Sequence, residues 1–189
     1  MESTPATFKK VKIALLGATG ATGREIVRHA MKDPRIEELC IIVRRRLDEW
    51  KEENFICKLK VIQLDTLDKM ATSDIKEQIQ GYDALLSTMG SRIQVGEAAF
   101  RKVEQEYTAT FAKIGLESGA RYYGLLSGEA ANAKSWFLLM RVKGEIEDDF
   151  KKLGYKHLAI HRPGLLLDRD NDERLVETVG KFIPFISKV

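Results

Sequence analysis

The sequence predicts an α/β protein built on a doubly wound, mostly parallel sheet. Three observations lead there. Six short apolar runs alternate with longer amphipathic ones along the chain. Several of the apolar runs are continuous rather than alternating, as in strands buried on both faces. The first of them, Val11 to Leu16, passes through a glycine-rich turn into residues 24–31, where Ile26, Val27, Ala30 and Met31 recur at helical spacing. With right-handed crossovers the strand order becomes 3-2-1-4-5-6.

The turn itself, Gly17-Ala18-Thr19-Gly20-Ala21-Thr22-Gly23, carries the first functional expectation. A strand, a glycine turn and a helix in succession form the context in which a glycine pattern means dinucleotide binding. Gly17 lets the chain leave the strand sharply. Gly20 has no side chain to hold a pyrophosphate away from the backbone, and Gly23 allows the helix a close approach to the sheet. The helix N-terminus offers free N–H groups and a partial positive charge to the phosphates. Gly17, Thr19, Gly20, Ala21, Thr22 and Gly23 are therefore candidate cofactor contacts. The spacing is GxxGxxG rather than GxGxxG, and the alternative is an ordinary strand–helix turn.

The remaining elements follow in order. Asp33-Pro34 breaks the first helix. Leu39 to Val43 reads as the second strand and ends in Arg44-Arg45-Arg46. Arg44 lies 21 positions beyond Gly23, where a dinucleotide fold carries an acid for the ribose 2′-hydroxyl of NAD or an arginine for the 2′-phosphate of NADP. Guanidinium geometry suits phosphate oxygens, so Arg44 and Arg45 point to NADP(H); the alternative is three solvated arginines. Leu47 to Phe55 reads as a loop or short helix. Leu59 to Leu64 is the third strand, and Asp65 after it either caps the next helix or lies near the adenine. Thr66 to Gln80 reads as a helix stopped by Gly81. Asp83 to Thr88 is the fourth strand; the segment behind it faces the cofactor crevice, which makes Thr88, Met89 and Gly90 candidates for the ribose and nicotinamide. Gly96 to Ser118 reads as one long helix, Tyr122 to Ser127 as the fifth strand, Lys134 to Leu153 as largely helical, and Lys156 to His161 as the sixth strand. A polar loop over 168–173 and a short amphipathic segment over 175–182 complete the chain.

Composition narrows the class. At 189 residues, 44% apolar and 31% charged, the chain suits a single soluble domain, residues 1–189, with 1–9 as a lead-in and 168–189 as a short extension. A net charge of +3 with no extended basic patch argues against nucleic acid. No apolar stretch approaches the roughly 20 residues of a membrane span. Cys40 sits in an apolar strand, so buried thiols are expected rather than a disulfide. The N-terminus lacks the features of a signal or transit peptide, and the expected compartment is the cytosol. His157 and His161 stand about 13 Å apart along one strand face, too far for a shared metal, so no metal site is expected.

Residues 17–23, Val43-Arg44-Arg45, Leu125-Leu126-Ser127, Phe137-Leu138, Val142-Lys143-Gly144-Glu145 and residues 162–167 (RPGLLL) together carry a resemblance. The chain resembles the atypical short-chain dehydrogenase/reductase superfamily, and most closely its Tat-interactive-protein-like oxidoreductases. The likeness covers nearly the whole chain, and the Val-Lys-Gly-Glu and Arg-Pro-Gly-Leu-Leu-Leu segments are more specific than the glycines. It implies a Rossmann fold, bound NADP(H), cofactor contacts that include Lys143 and Pro163, and oxidoreductase chemistry by a serine, a tyrosine and a lysine, the last two as Tyr-x-x-x-Lys. In that scheme tyrosine donates the proton, lysine lowers its pKa and holds the ribose, and serine orients the substrate oxygen. Ser127 and Lys143 match. The tyrosine position is Leu139, which exchanges no proton. Two readings stand: an NADP(H)-dependent oxidoreductase of weakened chemistry, or a cofactor-binding regulatory or structural subunit without turnover. The substrate and any protein partner are not legible in the sequence.

Overall fold

The computed structural model describes residues 9–91 and 93–164. Six strands form one sheet in the order β3-β2-β1-β4-β5-β6, every neighbouring pair parallel. They are β1 (Val11–Leu16), β2 (Ile36–Val43), β3 (Lys58–Gln63), β4 (Ala84–Ser87), β5 (Tyr122–Leu126) and β6 (His157–His161). Beginning at Ile36, β2 is three residues longer than its apolar run, because Glu38 pairs with Lys58 of β3 at its outer end.

Alternation along the strands divides the core in two. Leu15, Leu39 and Ile41 point to the face covered by helix α1 (Ala21–Ala30), through Val27 and Ala30. Ala14, Leu16, Leu85, Tyr123 and Leu125 point to the other face. The cover there comes from α2 (Ile75–Gln78), α3 (Glu97–Arg101), α4 (Tyr107–Glu117) and α5 (Leu138–Phe150). Tyr123 is fully buried among Phe111, Phe150 and Tyr155, with ring centroids 5.1–6.2 Å away. Cys40 and Cys57 are buried free thiols, and burial pushes Cys40 up to about 12.

Three helices differ from the reading of the sequence. Residues 66–80 form a 3₁₀ turn, Leu67–Thr72, followed by the short α2, because the Ser73 hydroxyl donates to the Met70 carbonyl at 2.8 Å and competes with the helix ladder. The long helix over 96–118 is α3 and α4 joined by a π turn, Lys102–Glu106. Helix α5 starts at Leu138 rather than Lys134, whose backbone N–H is taken by the Asn132 side chain. The loop before α5 lies against the helix: Asn132 N–H donates to the Met140 carbonyl, and a Cβ on Gly144 would fall on the backbone of Asn132 and Ala133. The sequence features read over 1–8 and 165–189, including the loop at 168–173 and the segment at 175–182, lie outside the described residues.

Candidate functional site

The C-terminal ends of β1, β4 and β5 bring the predicted residues to one side of the sheet. Gly17 has φ +93°, and a Cβ there would stand 2.7 Å from the Thr88 carbonyl carbon and hydroxyl and 2.9 Å from Met89 N. Its glycine is required both by backbone conformation and by the loop after β4. Thr88 closes the contact by donating its hydroxyl to the Gly17 carbonyl at 3.1 Å. Gly23 serves the turn rather than the sheet: a Cβ there would fall on the Gly17 carbonyl and come within 2.8 Å of Ala18 Cα. Gly20 is different. It is the N-cap of α1 in extended conformation, no side chain caps the helix, and the nearest atom to a Cβ there is the Gly17 carbonyl oxygen at 3.4 Å. Thr19, Gly20 and Ala21 are exposed, while Thr22 is half-buried. The first N–H groups of α1 thus remain open to an anion.

Arg44 and Arg45 are exposed just beyond β2 and make no ion pair or hydrogen bond among the described residues, whereas Arg46 donates to the Trp50 carbonyl at 2.7 Å. Asp65, exposed just beyond β3, does not cap the next helix. Thr66 is the cap, accepting from Asp68 N–H, and Asp65 pairs with Lys69 at 2.6 Å, which lowers its pKa. Pro163 follows β6, its carbonyl accepting from Glu129 N–H.

Between β4, β5 and α5 lies a pocket walled by Met89, Leu126, Ser127, Lys143 and Ile146. The Lys143 ammonium sits 2.6 Å from Glu104 Oε2 and donates to the Leu126 carbonyl at 3.3 Å. Ser127 is buried and donates its hydroxyl proton to Glu147 Oε1, which also accepts from Arg162 Nε at 2.9 Å. Leu139 lies one turn before Lys143 on α5, 41% exposed, just after the exposed Trp136 and Phe137. Among the described residues no tyrosine lines the pocket, and the nearby Tyr123 is buried and donates to the Thr108 carbonyl.

Glu104 and Glu147 carry no motif, yet each had a signal. Both are acids on an apolar stripe: Glu104 between Phe100 and Phe111, and Glu147 beside Ile146 and Phe150. An acid at such a position is buried only with partners. Burial pushes the Glu147 carboxyl up, but the hydrogen bonds from Arg162 and Ser127 outweigh it and hold the pKa below the ordinary value near 4.5. A depressed folded-state pKa gives stability that is complete above the unfolded value and lost as pH falls through the folded one. Glu147→Gln is therefore expected to destabilise by about 2 kcal/mol at neutral pH. The deficit relative to the unmodified protein should shrink as pH drops below about 4, read by urea unfolding across pH.

Among the described residues no helix is long and apolar enough to cross a membrane. The family model described as NAD(P)H-binding matches residues 17–185. The chain is 35% identical over 175 residues to the protein FMP52, mitochondrial, of Candida albicans, covering 89% of this chain and 75% of that one. It is 29% identical over 170 residues to the protein HTATIP2 of Rattus norvegicus, covering 89% and 68%. In structure it is similar to a short chain dehydrogenase family protein from Francisella tularensis, with a TM-score of 0.68 and 15% identity over 92% of this chain and 77% of the other. The relatives correct the cytosolic expectation, since several carry mitochondrial names. Reduced thiols and a missing apolar span describe more than one compartment, and an organelle address is read by receptors rather than by folding. From the glycine turn onward, the chain belongs to the NAD(P)H-binding family, as an atypical short-chain dehydrogenase/reductase-like protein related to HTATIP2 and FMP52.

Proposed function

We propose that the protein binds NADP(H) in preference to NAD(H) and that its oxidoreductase chemistry is weak. The observation that carries the cofactor choice is the pair of exposed arginines at the end of β2, unpaired among the described residues and standing where an acid would accept a ribose 2′-hydroxyl. The rest of the crevice fits a dinucleotide. A Cβ on Gly20 would meet one atom within 4 Å, the Gly17 carbonyl oxygen, α1 has no side-chain cap over the N–H groups it would offer a pyrophosphate, and Thr88, Met89 and Gly90 would border the nicotinamide end. An ammonium has three donors; Lys143 is ion-paired with Glu104 and donates one hydrogen bond to the Leu126 carbonyl, which leaves a donor for a ribose hydroxyl. The cofactor, when bound, supplies a hydride.

Among the described residues, the position matched to the proton-donating tyrosine carries no acid. Leu139 offers no proton, and Ser127 has turned its own toward Glu147. Leu139 is also the observation that favours a second reading, a cofactor-loaded regulatory or structural subunit. Dinucleotide binding alone stabilises a fold by about 2.7 kcal/mol at a hundred times its dissociation constant. Asp65, tied to Lys69, contributes at most an adenine-side edge in either reading.

Calorimetry tests the cofactor assignment. Replacing Arg44 and Arg45 by Ala should weaken NADPH by about 10²-fold, since charge-assisted bonds to phosphate contribute about 1.5–3 kcal/mol each. NADH affinity should move by less than about threefold, because NADH has no 2′-phosphate for them to hold. Equal losses for the two cofactors would remove the 2′-phosphate assignment.

A further inference from the structure

Glu104 is 3% exposed, with one carboxylate oxygen in a hydrogen bond and the other in an ion pair. Oε1 accepts the backbone N–H of Ser91 at 2.8 Å, and Oε2 pairs with Lys143 Nζ at 2.6 Å. One side chain therefore ties the loop after β4 to helix α5 across the pocket. The residue stands in the π turn between α3 and α4. A π turn re-aims side chains relative to an unbroken helix, and such turns recur at functional sites. The loop end is close enough that a Cβ on Gly90 would lie 3.8 Å from Glu104 Oε1. A buried carboxylate is costly unless it is partnered, and among the described residues this one is partnered by the two elements that border the nicotinamide end, Oε1 by a hydrogen bond and Oε2 by the ion pair.

Resting on the NADP(H) reading, we propose that Glu104 is the positioning residue for the nicotinamide half of the cofactor. It fixes the direction of the Lys143 ammonium and the course of residues 88–91, and so sets how tightly the nicotinamide riboside is held. The adenosine half, held at the far end of the crevice by Arg44 and Arg45, lies outside its influence. Glu104 donates nothing to the reaction; it acts through Lys143 and the loop.

Two probes separate the halves: NADPH, and adenosine 2′,5′-bisphosphate, which has no nicotinamide. Glu104→Gln is expected to raise the NADPH dissociation constant about tenfold, as for a coupling of roughly 1.4 kcal/mol, while the bisphosphate moves by less than about twofold. Lys143→Met should give the same selective loss, and the double variant should be no worse than the more affected single one, since both changes break one linkage. Glu104→Asp, which keeps the charge, should fall between Gln and the unmodified protein. If Glu104→Gln does not fold, the Asp and Lys143 variants read the same selectivity. Equal losses for both probes, or unchanged NADPH affinity, would overturn the role of Glu104. Binding of neither probe by the unmodified protein would instead overturn the NADP(H) reading beneath it.

Discussion

Given NADPH and a simple aldehyde, the protein is expected to consume cofactor slowly, and Leu139→Tyr to raise the rate by about 10²-fold, the lower end of what a positioned general acid contributes. Reducing a carbonyl needs a hydride at carbon and a proton at oxygen. Side chains four residues apart on a helix share a face, so a phenol at 139 would stand one turn from the Lys143 ammonium. Of the groups already there, Ser127 donates to Glu147, and Lys143 is bound to Glu104 and the Leu126 carbonyl. Leu139 is partly exposed at the start of α5, so a larger side chain displaces no core packing. Leu139→Phe is the control: it brings the ring without the hydroxyl and should leave the rate unchanged. NADPH absorbance follows both. Turnover by the unmodified protein at ordinary enzyme rates, about 1–10³ s⁻¹, would show that another group supplies the proton. A flat response to Leu139→Tyr would favour the subunit without turnover.

The sheet was legible because each strand is written locally. Leu39 to Val43 is a continuous apolar run and Val11 to Leu16 is broken only by Lys12, and a parallel strand buried on both faces needs little else. The glycine turn was legible as a motif, though the duties of its glycines were only partly so. Gly17 answers to Thr88, seventy-one residues away, and Gly23 to the Gly17 carbonyl. Neither approach has a local signature. The same holds for the π turn that aims Glu104, and for the loop over 128–137 that packs on Gly144 and delays α5. The break between Thr72 and Ile75 depends on a serine hydroxyl choosing a backbone carbonyl over water, a choice made by packing. The candidate site was thus half visible: its arginines, glycines and lysine were in the sequence as motifs, while the two buried acids that hold its serine and lysine were visible only as charges on apolar stripes.

The glycine turn supplies the second large effect, through a contrast between two of its residues. Gly20→Val should leave a folded domain that has lost NADPH binding by at least about 10²-fold, as when two charge-assisted bonds to phosphate are broken. The Gly20 backbone is extended, with φ −77° and ψ 167°, a conformation open to any L-residue. Its Cβ would meet only the Gly17 carbonyl, at 3.4 Å. The branched methyls then occupy the space in front of the uncapped α1 N–H groups, where a pyrophosphate has to approach. Gly23→Ala acts on the fold instead. The atoms in the way of its Cβ belong to the backbone of Gly17 and Ala18, and they are held in place by β1 and by the Thr88 contact. Moving them unlocks the turn, at about 3 kcal/mol, which in a domain of this size lowers Tm by about 6–12 °C. Thermal unfolding without cofactor and calorimetry with NADPH separate the two outcomes. Gly20→Val that binds NADPH normally would move the phosphates elsewhere, because a valine side chain and a pyrophosphate cannot both stand in front of the α1 N–H groups.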